Sequence, residues 1–411
     1  MKFFLFIVLG LFSAVTATSR TITVGSDASS IKEAIQVAGA GDTIRLLPGI
    51  YREGNIVINK SLTISGDKGA ILDGEGKFEI FTIHGNDVTI EGLIFINTGV
   101  ASISDIAAIK VLDSKRIRIT NNDLKDTFFG IYLANSGDSH VSNNRIVSTV
   151  SNEFSKGNGI HLWKCRNIRL YSNTIEGHRD GIYFEFVTKS KIVNNKSTGN
   201  LRYGLHFMFS HDDEYRNNVF SNNGAGVAVM YSKNVTMIDN SFNYNWGSAA
   251  YGLLLKDIRD SQVTRNEFEK NSVGIFMEGT SRITFSENEF RRNGYAIRLQ
   301  ASCDDNNLNR NNFMGNTFDI VTNGSLVLNR IDGNYWDKYE GYDLNHDMVG
   351  DICYRPVSLY GTIIEQTPTA VLLWRSFLVT LIDRAEKAIP AITPENLNDP
   401  VPLMKPYDIL H

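Results

Sequence analysis

Residues 195–230 read NKSTGNLRYGLHFMFSHDDEYRNNVFSNNGAGVAVM. Twice in this stretch an Asn leads to a Gly, an aliphatic residue, a variable residue and a second apolar one. Asn195 leads to Gly204-Leu205-His206-Phe207, and Asn218 leads to Gly226-Val227-Ala228-Val229. Outward from here the Gly position recurs at Gly130, Gly159, Gly181, Gly252 and Gly274, and then as Ala296. Most steps are 22 or 23 residues, with two longer ones of 29 and 26. Asn122, Asn144, Asn173, Asn240, Asn266 and Asn288 keep the same beat. A period near 22 is too short for paired helices. The units carry β-branched and aromatic residues in short runs, divided by Asn, Gly and Ser. That pattern predicts an all-β fold, a right-handed parallel β-helix in which each coil is one repeat. Asn at the turns tolerates left-handed backbone angles and stacks its amide on that of the next coil. The longer steps predict insertions near 149–156 and 245–249.

Side-chain alternation then orients every coil. The residues one and three places after each Gly are apolar throughout and face the core. The intervening columns face out. One of them runs Tyr132, His161, Tyr183, His206, Ala228, Leu254, Phe276, Arg298; the other runs Ala134, Trp163, Glu185, Met208, Met230, Lys256, Glu278, Gln300. Met208 and Met230 are therefore expected side by side on the exterior, with His206 two residues from Met208 on the same face. Thioether and imidazole groups suit Cu(I). The expected metal contacts are Met208, Met230 and His206, with His178, His211 and Asp212 as auxiliaries from adjoining turns. An exposed face rich in Met, His and aromatic residues also marks a contact surface.

The ends are atypical. Residues 1–17, with Lys2 before an apolar core, read as an export signal. The solenoid is expected over 18–360, opened by a capping helix whose apolar residues Ile31, Ala34, Ile35 and Ala38 keep helical spacing. Asp343, Asn345, Asp347 and Asp351 have the spacing of oxygen ligands in a calcium loop, although Met348 stands where such loops need Gly. Residues 361–411 form a helix and an extended tail. Arg375 and Asp383 break the apolar run 368–389, which leaves the apolar stretch short for a membrane span. It is expected to dock on a partner or at the membrane surface through Trp374, Phe377, Leu378 and Leu381. Cys165, Cys303 and Cys353 permit one internal bridge at most, and buried inert thiols are expected.

Several chemistries lack their motif. A net charge of −4 gives no basic surface announcing nucleic acid. No phosphate-binding G-x-x-x-x-G-K-[ST] loop, G-x-S-x-G elbow or H-E-x-x-H helix occurs. β-Helices often act on polysaccharides, so a carbohydrate lyase, hydrolase or epimerase is the rival reading. Its candidate acids are Asp180 beside Arg179, Glu185, and Asp212 with Asp213. A metal-free scaffold is the third.

The motifs GNGIHLWKC, GHRDGIYFEFV, RYGLHFMFSHDD, GAGVAVMYS, AAYGLLLKDI, NYWDKYEGYDL and YRPVSLY together resemble the NosD family. The likeness runs from the capping helix to the tail. It implies a periplasmic, non-enzymatic β-helix protein serving the maturation of nitrous oxide reductase. It also implies an ABC transporter made of an ATPase and a membrane permease, a copper chaperone lipoprotein as donor, and the reductase's copper cluster as destination. The chain departs from the family pattern at Asp347-Met348 and Cys353-Tyr354.

Overall fold

The structure, a computed structural model, describes residues 19–101, 103–324, 328–389 and 397–409. The export signal expected over 1–17 lies outside them. The chain winds as a parallel β-solenoid whose coils each add one short strand to each of three sheets. Sheet A has 14 strands, sheet B 13 and sheet C 12, and each strand neighbours the equivalent strand of the next coil. The interior is one continuous cluster of aliphatic and aromatic side chains. The sixteen inward positions read from the repeat include Leu205, Phe207, Val227 and Val229, all fully buried.

Two kinds of ladder hold the coils in register. The first is polar. Asn122, Asn144, Asn173, Asn195, Asn218, Asn240, Asn266, Asn288, Asn311 and Asn334 stack inside one corner. Asn218 shows the pattern. Its Oδ1 accepts the backbone N–H of Asn195 at 2.9 Å and the Asn195 amide at 3.0 Å. Its Nδ2 donates to Ile192 O at 2.8 Å and to Asn240 Oδ1 at 2.9 Å. Every polar atom is thus satisfied by a neighbouring coil, as burial requires. The second ladder is aromatic: Phe220, Phe242, Phe268, Phe290, Phe313 and Trp336 stack through the core. The repeated Gly has a steric cause. A Cβ on Gly204 would lie 2.7 Å from the Gly226 carbonyl oxygen of the next coil.

Both insertions fall where the repeat lengthens, at the corner between sheets B and C. The first holds a 3-10 turn over Glu153–Ser155. The opening cap is α1 (Ile31–Val37), N-capped by Ser30, with Ile31, Ala34 and Ile35 buried.

The closing end differs from expectation. The single helix expected over 368–389 is two segments: a 3-10 stretch, Pro368–Leu373, and an α-helix. They are parted where Arg375 takes φ 66 and Ser376 caps the new helix. A further helix, α2 (Leu359–Gln366), precedes them, and the second is α3 (Phe377–Ala388). Tyr360, Ile364 and Val379 pack on Phe318 and Val321, on the outer side of the last sheet C strand. The tail docks on the solenoid: Asp399 is fully buried. Its carboxylate accepts the N–H groups of Gly333 and Asn334, the Asn334 amide and the Trp336 indole N–H. One tail residue thus terminates both ladders. All three cysteines are free, Cys165 and Cys303 buried and Cys353 exposed.

Substituting Asn218→Ala is expected to lower stability by about 2–3 kcal/mol, because it strands buried partners on both neighbouring coils. Asp399→Ala is expected to loosen the C-terminal coils first. Urea melts followed by hydrogen exchange check both, and uniform protection in Asp399→Ala would refute the second.

Candidate functional site

The outer columns of sheet C stand as the alternation requires. Met208 pairs in register with Met230, between Glu185 and Lys256. Both methionines are half-buried. They end their strands, and the next residues, Phe209 and Tyr231, turn the corner into sheet A. The other outer column is an aromatic stack. The His161 ring lies 4.8 Å from Tyr132 and 4.6 Å from Tyr183, nearly parallel to both. Burial, then the Arg179 charge, pushes the His161 imidazole down to about 3. It is neutral at ordinary pH, the form that offers a nitrogen lone pair.

His206 shares the face of Met208 but is only 8% exposed, covered by the Tyr183 and Tyr203 rings. Its Nδ1 lies 3.8 Å from Asp180 Oδ2. Asp180 is fully buried and also faces Arg179 and Arg202 at 4.0 and 3.9 Å. The Asp180 Oδ2 and both His206 nitrogens make no hydrogen bond. Those spacings are too long for direct hydrogen bonds.

The expected auxiliaries do not gather at the methionines. His178 is interior and fully buried, at the corner between sheets B and C. Its backbone N–H donates to Asn200 Oδ1, which makes it the first rung of a second polar ladder. That ladder continues through Asn200, Asn223, Asn245, Asn271, Asn293 and Asn316. Each of these stands five residues after a rung of the first ladder, as His178 stands after Asn173. That offset was the signal in the sequence. His211 lies past the corner, in a cleft of about 560 Å³ with Phe209, Tyr231, Lys233 and Arg259. Its Nδ1 accepts the Lys233 N–H at 3.3 Å. Asp212 is exposed with φ 60 and bonds Asn234.

The acids of the rival reading are dispersed. Asp213 points inward where other coils place a serine. It accepts the Ser190 N–H, and burial raises its carboxyl well above the usual range. Asp212 points outward, so the two form no shared site. Glu185 accepts from the Tyr183 hydroxyl. In the acidic loop, Asp343, Asn345, Asp347 and Asp351 each accept backbone N–H groups of the loop itself. Among the described residues no group of three or more His, Cys, Asp or Glu side chains is placed to hold a metal. Trp374 packs against Phe318 and stacks on Tyr360 yet keeps an exposed edge, and Phe377, Leu378 and Leu381 are exposed.

Residues 146–341 match the family model described as periplasmic copper-binding protein (NosD). The chain is 30% identical over 371 residues to a probable ABC transporter binding protein NosD of Pseudomonas aeruginosa, covering 86% of each chain. A protein of the same name from Stutzerimonas stutzeri is 27% identical over 378 residues, covering 88% of this chain and 86% of the relative. Among solved structures, the A-module of the Azotobacter vinelandii mannuronan C-5 epimerase AlgE4 superimposes with TM-score 0.59 at 13% identity. That alignment covers 74% of this chain and 94% of the module. A Yersinia enterocolitica family 28 exopolygalacturonase gives 0.58 at 12%, covering 77% and 78%. At such identities the likeness is one of fold.

Burial pushes His178 from 6.5 down to about 4. An unfolded chain protonates this imidazole below about 6.5, and the folded chain does so only near 4. Its contribution is therefore whole above 6.5 and is lost as pH falls through that window, by about 3 kcal/mol at the limit. His178→Asn, which supplies the residue of the other rungs, is expected to flatten the loss of stability between pH 6.5 and 4. Parallel pH–stability curves for variant and parent would refute this.

Proposed function

The chain belongs to the NosD family, and from that premise we propose that it handles copper in the periplasm during assembly of the copper cluster of nitrous oxide reductase. The observation that carries the reading is the pair Met208 and Met230, in register on consecutive coils and half-buried at the exterior. Two thioethers fixed one coil apart, about 4.8 Å along the solenoid, form a soft and weak site. Such a site favours Cu(I) and releases it readily to a better ligand set. His206, on the same strand and face, is the imidazole this reading adds to it. His178 is held inside the solenoid and is not part of this site. Transfer rather than storage suits a site with so few donors.

In this reading the chain is an accessory protein and not an enzyme. Asp180 is wholly buried and Asp212 and Asp213 diverge, which disfavours paired carboxylate chemistry on a glycan. ATP hydrolysis falls to the ATPase of an ABC transporter, in keeping with the name its relatives carry. A copper chaperone lipoprotein supplies the metal and the reductase receives it. No helix among the described residues is long and apolar enough to cross a membrane. Membrane association is then through the permease. The face for that contact is on α3: Val379 packs against the solenoid while Phe377, Leu378 and Leu381, 77%, 53% and 45% exposed, turn apolar surface outward. Trp374, stacked on Tyr360 and partly exposed, continues that apolar surface.

Anaerobic Cu(I) titration against a competing chelator is expected to show one site in the parent. Met208→Leu/Met230→Leu, which conserves volume and hence folding, should weaken it by at least about tenfold. Equal uptake by both proteins would remove the site. Independently, Phe377→Ser/Leu378→Ser/Leu381→Ser is expected to abolish co-purification with the permease in detergent; a retained complex would refute the docking face.

A further inference from the structure

Sheet A carries an outer column of like charge. Arg118, His140, Arg169 and Lys191 stand in register on four consecutive coils. Beside it a second column in bridge register reads Lys115, Gly137, Arg166, Thr188, His211, Lys233 and Arg259 along the axis. Stacked like charges oppose folding, and here little offsets them. Arg118, Arg166 and Arg169 are exposed and form no ion pair among the described residues. Lys191 reaches Glu214 at 3.4 Å, and Arg259 reaches Asp260 at 3.9 Å, an aspartate already held by Arg282 at 2.6 Å. Partial burial, then Arg169 and Arg118, holds the His140 imidazole below its ordinary value. This stripe is a local reversal in a chain of net charge −4.

A second departure from the repeat borders it. At the corner from sheet C to sheet A, most coils place Asp, Asn, Lys or Gly in the left-handed turn position. Three consecutive coils place Phe186, Phe209 and Tyr231 there instead, at φ 55, 49 and 54. Left-handed angles are unusual for bulky side chains, and burial does not compensate, because all three rings are exposed. The rings stack at 5.3 and 5.0 Å. The stack ends at Tyr231, where Asp257 and then Gly279 replace a ring and the cleft beside His211 opens.

We propose that the cationic stripe of sheet A, with the Phe186–Phe209–Tyr231 rim, is a docking surface for the acidic face of a soluble folded protein. Three features select that occupant. Basic residues of the two columns recur over six coil steps, roughly 29 Å at about 4.8 Å per step, interrupted in the strand column by Glu214, which Lys191 and Arg216 hold. That suits half of a standard protein interface of about 800 Å² per partner better than a concave ligand site. Exposed arginines beside aromatic rings are the composition of such interfaces. A second copy of this chain is disfavoured, because an isologous contact would face the stripe with itself. The location gives the contact its purpose. Phe209 and Tyr231 follow Met208 and Met230 directly in the chain, so a partner seated on the stripe meets the thioether pair across the rim. That purpose rests on the copper reading above; the contact itself does not.

The two soluble partners named above, the copper chaperone (without its lipid) and the reductase, are the probes. Each is measured against the full chain by biolayer interferometry. At least one is expected to bind at about 50 mM salt and to lose affinity about tenfold by about 300 mM. Arg118→Glu/Arg169→Glu/Lys191→Glu is expected to weaken that binding by at least about tenfold while Cu(I) uptake is unchanged. Should this variant fold poorly, the corresponding triple Gln variant carries the comparison. Unaltered partner binding by a folded variant would overturn the proposal. So would binding by neither protein, including the case where the chain binds phosphatidylglycerol vesicles or polygalacturonate instead. A Met208→Leu/Met230→Leu protein that binds its partner but not copper would sink the copper reading and leave the docking surface standing.

Discussion

The register of this molecule depends on the asparagine side chain that closes one corner of each coil. A parallel β-solenoid must turn its backbone sharply inside the core three times per coil. Each turn leaves N–H and C=O groups where no water reaches them. The ladder through Asn122 to Asn334 satisfies these groups with amides from the neighbouring coils. The amide fits only one way, with its oxygen toward the preceding coil and its nitrogen toward the next. Register is thereby fixed to the residue, and a slip of one place would turn every core side chain outward. Met208 lies beside Met230 for the same reason that Phe220 lies beside Phe242.

This constraint explains how much was legible beforehand. The coil period, the two insertions, the inward columns, the capping helix and the in-register methionines all follow from a repeat that is local in sequence. What escaped the reading is nonlocal. The outward position of His206 was correct, but its burial depends on how far the Tyr183 and Tyr203 rings lean across it, and alternation carries no such information. His178 looked like a free imidazole until its place five residues after Asn173 put it on a second ladder. The apolar run 368–389 gave no hint of a break, because Arg375 adopts a left-handed angle that its residue type does not advertise. The tail read as extended from its prolines. Its role rests on Asp399, which meets Asn334 and Trp336 more than sixty residues away in sequence.

A solenoid also tells function from structure in an unusual way. Coils touch only their neighbours, so an unfavourable feature costs stability locally and is not averaged over one core. Each column is its own control, since the same position is occupied many times. Against that background, aromatic residues in left-handed turns and exposed arginines without ion-pair partners stand out as departures that neither the ladder nor the core requires. Asp213, a buried carboxyl where serine serves other coils, is a departure of the same kind. It faces inward, however, and offers nothing to a partner.

The placement of the three exposed features bears on how they could act together. The C-terminal helices cover the outer side of sheet C at its last strand. The strand that ends in Met230 lies four steps earlier in that sheet, about 19 Å along the axis. The cationic stripe faces a different direction, from sheet A, and the thioether pair sits on the edge between the two faces. On the proposed reading, a partner on α3 and a partner on the stripe would approach the rod from different faces, with the methionines on the edge between them. A rigid three-sided rod can hold two proteins at once and keep a weak metal site between them. On the proposed reading, hand-over at such a site would follow from which partner occupies the stripe and would need no change in the fold.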